Sequence, residues 1–184
     1  FIRDAHNSAK ASVSEGHSKE LPSLLRKYAF YFAVGNEIDP HLINPVLKLV
    51  KPRTLWEDLF RIGRAYWSLP YSKGYGRRLR FVVFDDYHKK VIGLIGLQSP
   101  PADLACRDQH FDYPKNKKLV FVNGMMDAYT VGALPPYSAL LGGKLVAGLV
   151  ASEAIRKAYW AAYAGKKTRM KRRLLGQPLL AVTT

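Results

Sequence analysis

The sequence predicts an α+β or α/β fold: a mainly antiparallel sheet built on one hairpin, backed by a long helix and preceded by N-terminal helices. Three observations predict it. Leu79 to Phe84 and Val91 to Leu97 are apolar runs of strand length, separated by Asp85-Asp86-Tyr87-His88-Lys89-Lys90, which reads as a hairpin tip. A β-type run from Tyr129 to Leu134 meets Pro135-Pro136, where proline removes a ladder donor and disfavours helical geometry in the residue before it. Gly142-Gly143-Lys144 then opens a segment that keeps helical spacing as far as Gly165.

Phe1 to Lys19 is polar and reads as an arm or a loose helix. Pro22 suits a first helical turn, and Leu24, Leu25, Tyr28, Ala29 and Phe32 follow at helical spacing until Gly35. Asp39-Pro40 offers a second helix start, made irregular by Asn44-Pro45. Thr54 and Glu57 read as a capping box, in which the hydroxyl and the carboxylate satisfy each other's backbone N–H groups. The helix they start carries Leu55, Leu59, Ile62 and Tyr66 on one face and ends before Leu69-Pro70. These signals divide the chain into an N-terminal arm with helices, residues 1–53, and an α+β core, residues 54–184.

Neither hairpin strand alternates apolar with polar, so both faces are expected to be buried. Gly93 and Gly96 within the second strand predict a bulge or a close backbone neighbour. Leu119 to Val122 is expected as a third strand. In the long helix, Ala151, Ala154, Ile155, Ala158 and Ala162 share one face, while Glu153, Arg156 and Lys157 share the other. Gly165 is its expected stop. Leu179 to Thr183 returns to strand, and a chain that ends on a strand with no turn is expected to be truncated at its C-terminus.

Length and composition bound the function. With 184 residues, 48% apolar and 12% aromatic, the chain can bury a full core. Its 29 Lys and Arg against 14 Asp and Glu leave a net charge of +15. A surplus of that size calls for a polyanionic partner, nucleic acid ahead of an anionic membrane; the alternatives are an acidic protein or a basic surface kept for solubility. One cysteine, Cys106, rules out an internal disulfide and a Cys-rich zinc site, and suits a reducing cytoplasm. The longest uncharged run, Ala128 to Gly143, is broken by the two prolines and too short to span a bilayer, so no membrane partner is expected. FIRDAHNSAK, at the start, holds no apolar secretory core.

Two basic stretches are candidates for nucleic-acid binding. The loop Ser68 to Gly76 and the residues after it interleave Tyr71 and Tyr75 with Lys73, Arg77, Arg78 and Arg80; rings stack on bases and cations meet phosphates. The alternative is a loop whose tyrosines cover the edge of the core. KKTRMKRR contributes Lys166, Lys167, Arg169, Lys171, Arg172 and Arg173 with no acid between them, either a phosphate contact or a solvated linker. Lys144 is a further phosphate candidate and Tyr137 a further stacking candidate.

Other chemistries are less well supported. Gly142-Gly143 beside a helix start is either a packing device or an anion site. A phosphate loop fails, because Leu145 follows Gly143-Lys144 and Ser138 stands where its first glycine belongs; no dinucleotide fingerprint occurs either, so no cofactor is expected. Metal-dependent nuclease chemistry needs converging acids with a Lys or His, and the candidates are Asp85 and His88 on the hairpin tip and Asp108 in the loop after Pro100-Pro101. Their spacing matches no metal motif, and hairpin acids are more often turn formers. Arg107-Asp108 reads as a structural ion pair. The order hairpin, strand, helix is similar to the GNAT-type acyltransferase fold, whose helix N-terminus holds the coenzyme A pyrophosphate. The glycine-rich loop of that family is missing, and Pro135-Pro136 stands where it would begin.

Several long stretches together carry a resemblance: Trp67-Ser68-Leu69-Pro70-Tyr71, GYGRRLRFVVFDDYH from Gly74 to His88, IGLIGLQSP from Ile92 to Pro100, Cys106-Arg107-Asp108, and GALPPYSALLGGKLVA from Gly132 to Ala147. In register and order, from about Ile38 to Thr184, the chain resembles the Druantia anti-phage system protein A family. The resemblance implies a bacterial, cytoplasmic component of a multi-gene defence system working beside other subunits, a helicase-type protein among them. It carries over no catalytic residue set. The sequence therefore predicts a DNA-binding component of a defence system, with a DNA-processing enzyme or a protein adaptor as the alternatives.

Overall fold

The computed structural model describes Asp4, Asn7, Ser8 and residues 20–67, 76–114, 116–168 and 172–184. Helix α1 (Leu21–Tyr28), with Pro22 in its first turn, runs into a short 3-10 turn, Ala29–Tyr31. Another 3-10 turn, Pro40–Leu42, is capped by the Asp39 carboxylate, which accepts from the His41 N–H at 2.9 Å. Strand β1 (Pro45–Leu49), helix α2 (Leu55–Ala65), and strands β2 (Arg78–Asp85) and β3 (Lys90–Gln98) follow. Helices α3 (Ala105–Phe111) and α4 (Lys118–Asn123) precede strand β4 (Met125–Ala133), and helices α5 (Gly142–Leu149) and α6 (Glu153–Tyr163) precede strand β5 (Ala181–Thr183).

The five strands form one sheet in the order β1-β2-β3-β4-β5. β1 lies antiparallel to β2, with Leu49 opposite Phe81 and Pro45 opposite Asp85. β4 and β5 run parallel, Met125 opposite Ala181 and Asp127 opposite Thr183. The α+β fold class and the mostly antiparallel sheet agree with the sequence. The hairpin falls where the apolar runs place it and is buried over nearly its whole length, as strands without alternation require.

Four local readings are corrected. β1 stands where the sequence offers a second helix start made irregular by Asn44-Pro45; proline is tolerated as the first residue of an edge strand, where its missing donor faces no partner. Leu119 to Val122 is helix rather than strand: its β-branched residues lie in α4, which Gly124 ends as its N–H returns to the Phe121 carbonyl. The third long strand begins only at Met125. The segment after Gly142 is two helices, not one, since Val150 to Ser152 leave helical geometry between α5 and α6. Finally, Thr54 caps α2 without the reciprocal box. Its hydroxyl donates to the Lys51 carbonyl, and Glu57 accepts instead from the Arg53 N–H at 2.8 Å.

The chain divides into two compact units: residues 1–73, 80–95 and 131–147, and residues 74–79, 96–130 and 148–184. In the first, Val50, Leu59, Phe60, Val82, Phe84, Val91, Leu94 and Leu134 form the core, with Trp56 edge-on to Phe84 at 5.2 Å. In the second, Leu97, Val122, Met125, Met126, Ile155 and Tyr159 are buried. Gly93 shows why the sequence needs a glycine there. A Cβ on it would lie 2.9 Å from the Ala133 Cα and 2.8 Å from the Val146 side chain, and would also press on the Gly132 carbonyl. Gly93→Ala is expected to lower the unfolding free energy by about 1–3 kcal/mol. Gly143→Ala, where a Cβ meets open space in a helix, is expected to be neutral or stabilising. Urea unfolding of the two variants side by side checks this; equal midpoints would contradict it.

Candidate nucleic-acid interface

In the second unit the KKTRMKRR run is described at Lys166, Lys167, Thr168, Arg172 and Arg173. Its described residues pair as a short antiparallel ribbon: the Gly165 N–H donates to the Leu175 carbonyl at 3.0 Å, the Leu175 N–H to the Lys166 carbonyl at 2.7 Å and the Thr168 N–H to the Arg173 carbonyl at 2.7 Å, and Lys167 pairs with Leu174. Gly165 turns the chain out of α6 at a φ of +74°, a conformation that side-chain-bearing residues rarely adopt. The ribbon therefore leaves the C-terminal end of α6 directly. Lys166, Lys167, Arg172 and Arg173 are exposed on it, and no carboxylate lies within ion-pair distance of any of them among the described residues. The Lys166 ammonium lies over the Tyr163 ring, 5.8 Å from its centroid. Arg169 and Lys171, also expected here, lie outside the described residues, as do Tyr71 and Tyr75 of the earlier loop.

α6 leads into this ribbon. Ile155 and Tyr159 are buried, whereas Ala151 and Ala154, expected on the inward face, are exposed. On its outer side lie Arg156, Lys157 and Trp160; Lys157 is paired with Glu153 at 3.1 Å, and Arg156 has no carboxylate partner among the described residues. Trp160 keeps 47% of its surface exposed. The sequence reading passed over it, because the helix was read by its alanines, and exposure of one aromatic among several is a tertiary outcome.

The other predicted arginines are committed within their own units. The Arg77 guanidinium donates to the Asn123 carbonyl and the Tyr159 hydroxyl at 2.5 Å and to the Met125 carbonyl at 3.1 Å, with the Tyr159 and Tyr163 rings beside it. Burial raises the Tyr159 pKa and the Arg77 charge opposes that rise. Tyr163 closes the same corner, its hydroxyl accepting from the Arg78 N–H and donating to the Arg78 carbonyl. The Arg78 guanidinium lies over the Tyr129 ring. Arg80 pairs with Glu57 at 3.1 Å over the Phe60 ring, in the first unit.

The first unit also holds the candidate acid and base. Asp85 is fully buried. One carboxylate oxygen accepts from the backbone N–H groups of Asn44, Tyr87 and His88; the other bonds His88 Nδ1 at 2.7 Å and accepts from the Tyr137 hydroxyl at 2.8 Å. His88 Nε2 accepts from the Asp39 N–H at 3.1 Å, which places the ring proton on Nδ1. Burial pushes the Asp85 carboxyl up, but the hydrogen bonds from Asn44, His88 and Tyr137 outweigh it and hold the group below its ordinary value. Burial, and then the Asp85 charge, push the Tyr137 hydroxyl well up. The arrangement is a turn-forming hub that ties residues 39–44 to the hairpin tip, and all its polar atoms are engaged. Tyr137, only 1% exposed, is corrected from a stacking candidate to a core residue.

Asp108 belongs to the other unit, bonded to Arg107 and to Lys118 at 2.6 Å; these partners, Lys118 first, hold its carboxyl at about 2. Arg107 is buried and also donates to the Pro101 and Ala102 carbonyls, so the pair is a loop brace, as its sequence suggested. Among the described residues no group of three or more His, Cys, Asp or Glu could hold a metal ion. None of their helices is long and apolar enough to cross a membrane. Of the two glycines opening α5, Gly142 packs against the chain itself, since a Cβ there would lie 2.5 Å from the Tyr137 carbonyl; Gly143 and Lys144 face solvent.

Comparison with known proteins agrees with the resemblance. The family described as Druantia protein DruA matches residues 1–184. The Druantia protein DruA of Escherichia coli (strain UMEA 4076-1) is 39% identical over 183 residues, an alignment that takes in 100% of this chain and 45% of that protein. The chain thus spans a little under half the length of the relative it matches. No solved structure matches it. The described residues of the stretches that carry the resemblance fall just beyond α2, at Trp67, and on the hairpin, α3, the end of β4 and α5, and the match extends over the whole of the sequence: the chain belongs to the Druantia protein DruA family.

Proposed function

We propose that this chain is the nucleic-acid-contacting part of a component of a bacterial anti-phage defence system, working beside other subunits of that system, a helicase-type protein among them, and that DNA is its ligand. One observation carries the reading: an ordered ribbon holds Lys166, Lys167, Arg172 and Arg173 in solvent with no carboxylate partner among the described residues. Four exposed cations on one short ribbon repel one another, and the phosphates of a nucleic acid remove that repulsion. Lys144 is a separate, exposed phosphate candidate in the first unit. Arg77 and Arg80 support their own units, since the Arg77 guanidinium is bonded to two carbonyls and a hydroxyl and Arg80 is paired with Glu57.

The test is binding of an oligonucleotide across a salt series. Affinity is expected to fall steeply with salt, with a log–log slope of about −0.7 (single strand) to −0.9 (duplex) per phosphate contact. No binding at low salt would overturn the reading and leave an acidic protein as the partner of the basic ribbon.

A diverged GNAT-type acyltransferase is the second reading, and topology favours it: β4 and β5 are parallel, and the crossover between them includes the glycine-opened helix α5. Acetyl-coenzyme A at about 100 times its dissociation constant would then stabilise the fold by about 2.7 kcal/mol, a clear upward shift in Tm. An unchanged Tm at millimolar ligand would dismiss it. The nuclease alternative is weaker, because Asp85 and His88 have no free polar atom to offer.

A further inference from the structure

We propose that the indole of Trp160 is a stacking platform for an unpaired base, so that the strip running along α6 into the ribbon takes single-stranded rather than duplex nucleic acid. This rests on the nucleic-acid reading above and adds to it what kind of strand is bound.

Helical adjacency places the parts. Residues three and four apart share a helix face, so Trp160 has Arg156 and Lys157 on one side and Tyr163 and Ala164 on the other. Lys166 lies over Tyr163, and with it the ribbon begins. Along the chain the indole thus lies between Arg156, one turn before it, and Lys166, six residues after it, two cations with no carboxylate partner among the described residues. Trp160 itself has no ring, cation or hydrogen-bond partner for its side chain among the described residues, whereas the nearby Tyr159 and Tyr163 hydroxyls are tied to the Asn123 and Arg78 carbonyls. It is the ring of this corner that remains open to a ligand.

A flat apolar ring flanked by cations discriminates between strands by simple geometry. In a duplex each base face is covered by its neighbours, and only phosphates and groove edges are within reach. In a single strand a base face is available, stacks on an indole with little regard to sequence, and its flanking phosphates meet the cations on either side. Duplex binding would use the ribbon and leave the indole in water.

Tryptophan fluorescence and paired affinities test this with the chain itself. Addition of an oligo(dT) strand should quench the emission of the chain. Trp160→Phe should remove that quenching while keeping most of the affinity, since Trp56 and Trp67 are engaged in the first unit against Phe84 and Gly132. Trp160→Ala should bind the single strand about ten-fold more weakly at fixed salt, with an unchanged salt slope and unchanged duplex affinity. Circular dichroism of both variants checks that the helix is retained. Salt-dependent binding without quenching, or with equal single-strand affinity for wild type and Trp160→Ala, overturns the stacking role while leaving the basic ribbon standing. Absence of all binding overturns both.

Discussion

Asp85→Ala is expected to lower the unfolding free energy by about 3–5 kcal/mol, the largest loss at any single position considered. The carboxylate accepts hydrogen bonds from three backbone N–H groups, an imidazole and a tyrosine hydroxyl, and it is fully buried. Removing it leaves those donors in the interior without partners, each at a cost of about 1–3 kcal/mol when no rearrangement or water restores the bond. Asp85→Asn keeps the volume and the oxygen facing the three N–H groups, and should lose less. Urea unfolding of both variants decides the matter; a loss below about 1 kcal/mol for Asp85→Ala would mean that residues 39–44 are held by other means.

The same site has a pH signature. The Asp85 pKa is depressed in the folded chain, so its contribution is present above the unfolded carboxylate value of about 3.9 and is lost as pH falls through the lower, folded value. The stability gap between wild type and Asp85→Asn should accordingly be widest near neutrality and narrow below about pH 4. A gap that does not change with pH would show that the carboxylate charge is not what the hub requires.

Neutralising the ribbon should have the largest effect on binding. Replacing Lys166, Lys167, Arg172 and Arg173 by Gln removes up to four phosphate contacts and should flatten the log–log salt slope by up to about 2.8 for a single strand or 3.6 for a duplex. Affinity at low salt should fall by orders of magnitude, while the unfolding midpoint changes little, because the four side chains are exposed and make no ion pair among the described residues. The ribbon's backbone bonds do not depend on these side chains. A variant that binds with the wild-type slope would assign the charge to other surfaces, Lys144 among them.

Much of the fold was legible in the sequence because it rests on local chemistry. Two apolar runs around a polar tip, the first interrupted only by Arg80, specify a buried hairpin, and Pro135-Pro136 ends a strand by removing donors. Gly93 announces a close approach that the Gly132–Ala133 backbone then makes. What local pattern misjudged was the context of short segments. Leu119 to Val122 has β-branched residues and still forms a helix, since six residues are too few for propensity to outweigh the packing that buries Val122. Pro45 reads as an irregularity in a second helix and begins an edge strand.

The candidate site divides in the same way. By itself, the sequence determined the charge, the acid-free KKTRMKRR run and the motifs of the Druantia protein DruA family, all properties of composition and order. Only the tertiary structure decided which cations are spent. Arg77 and Arg80 look the same in sequence as Arg172 and Arg173, but carbonyls and a carboxylate from residues distant in the chain occupy the first two. It likewise turned a run of cations into a ribbon, through backbone bonds between Gly165–Thr168 and Arg173–Leu175, and left Trp160 in solvent while burying Tyr159 beside it. Whether a side chain is satisfied or available depends on what folding brings within about 3 Å of it, and sequence order alone does not record that distance.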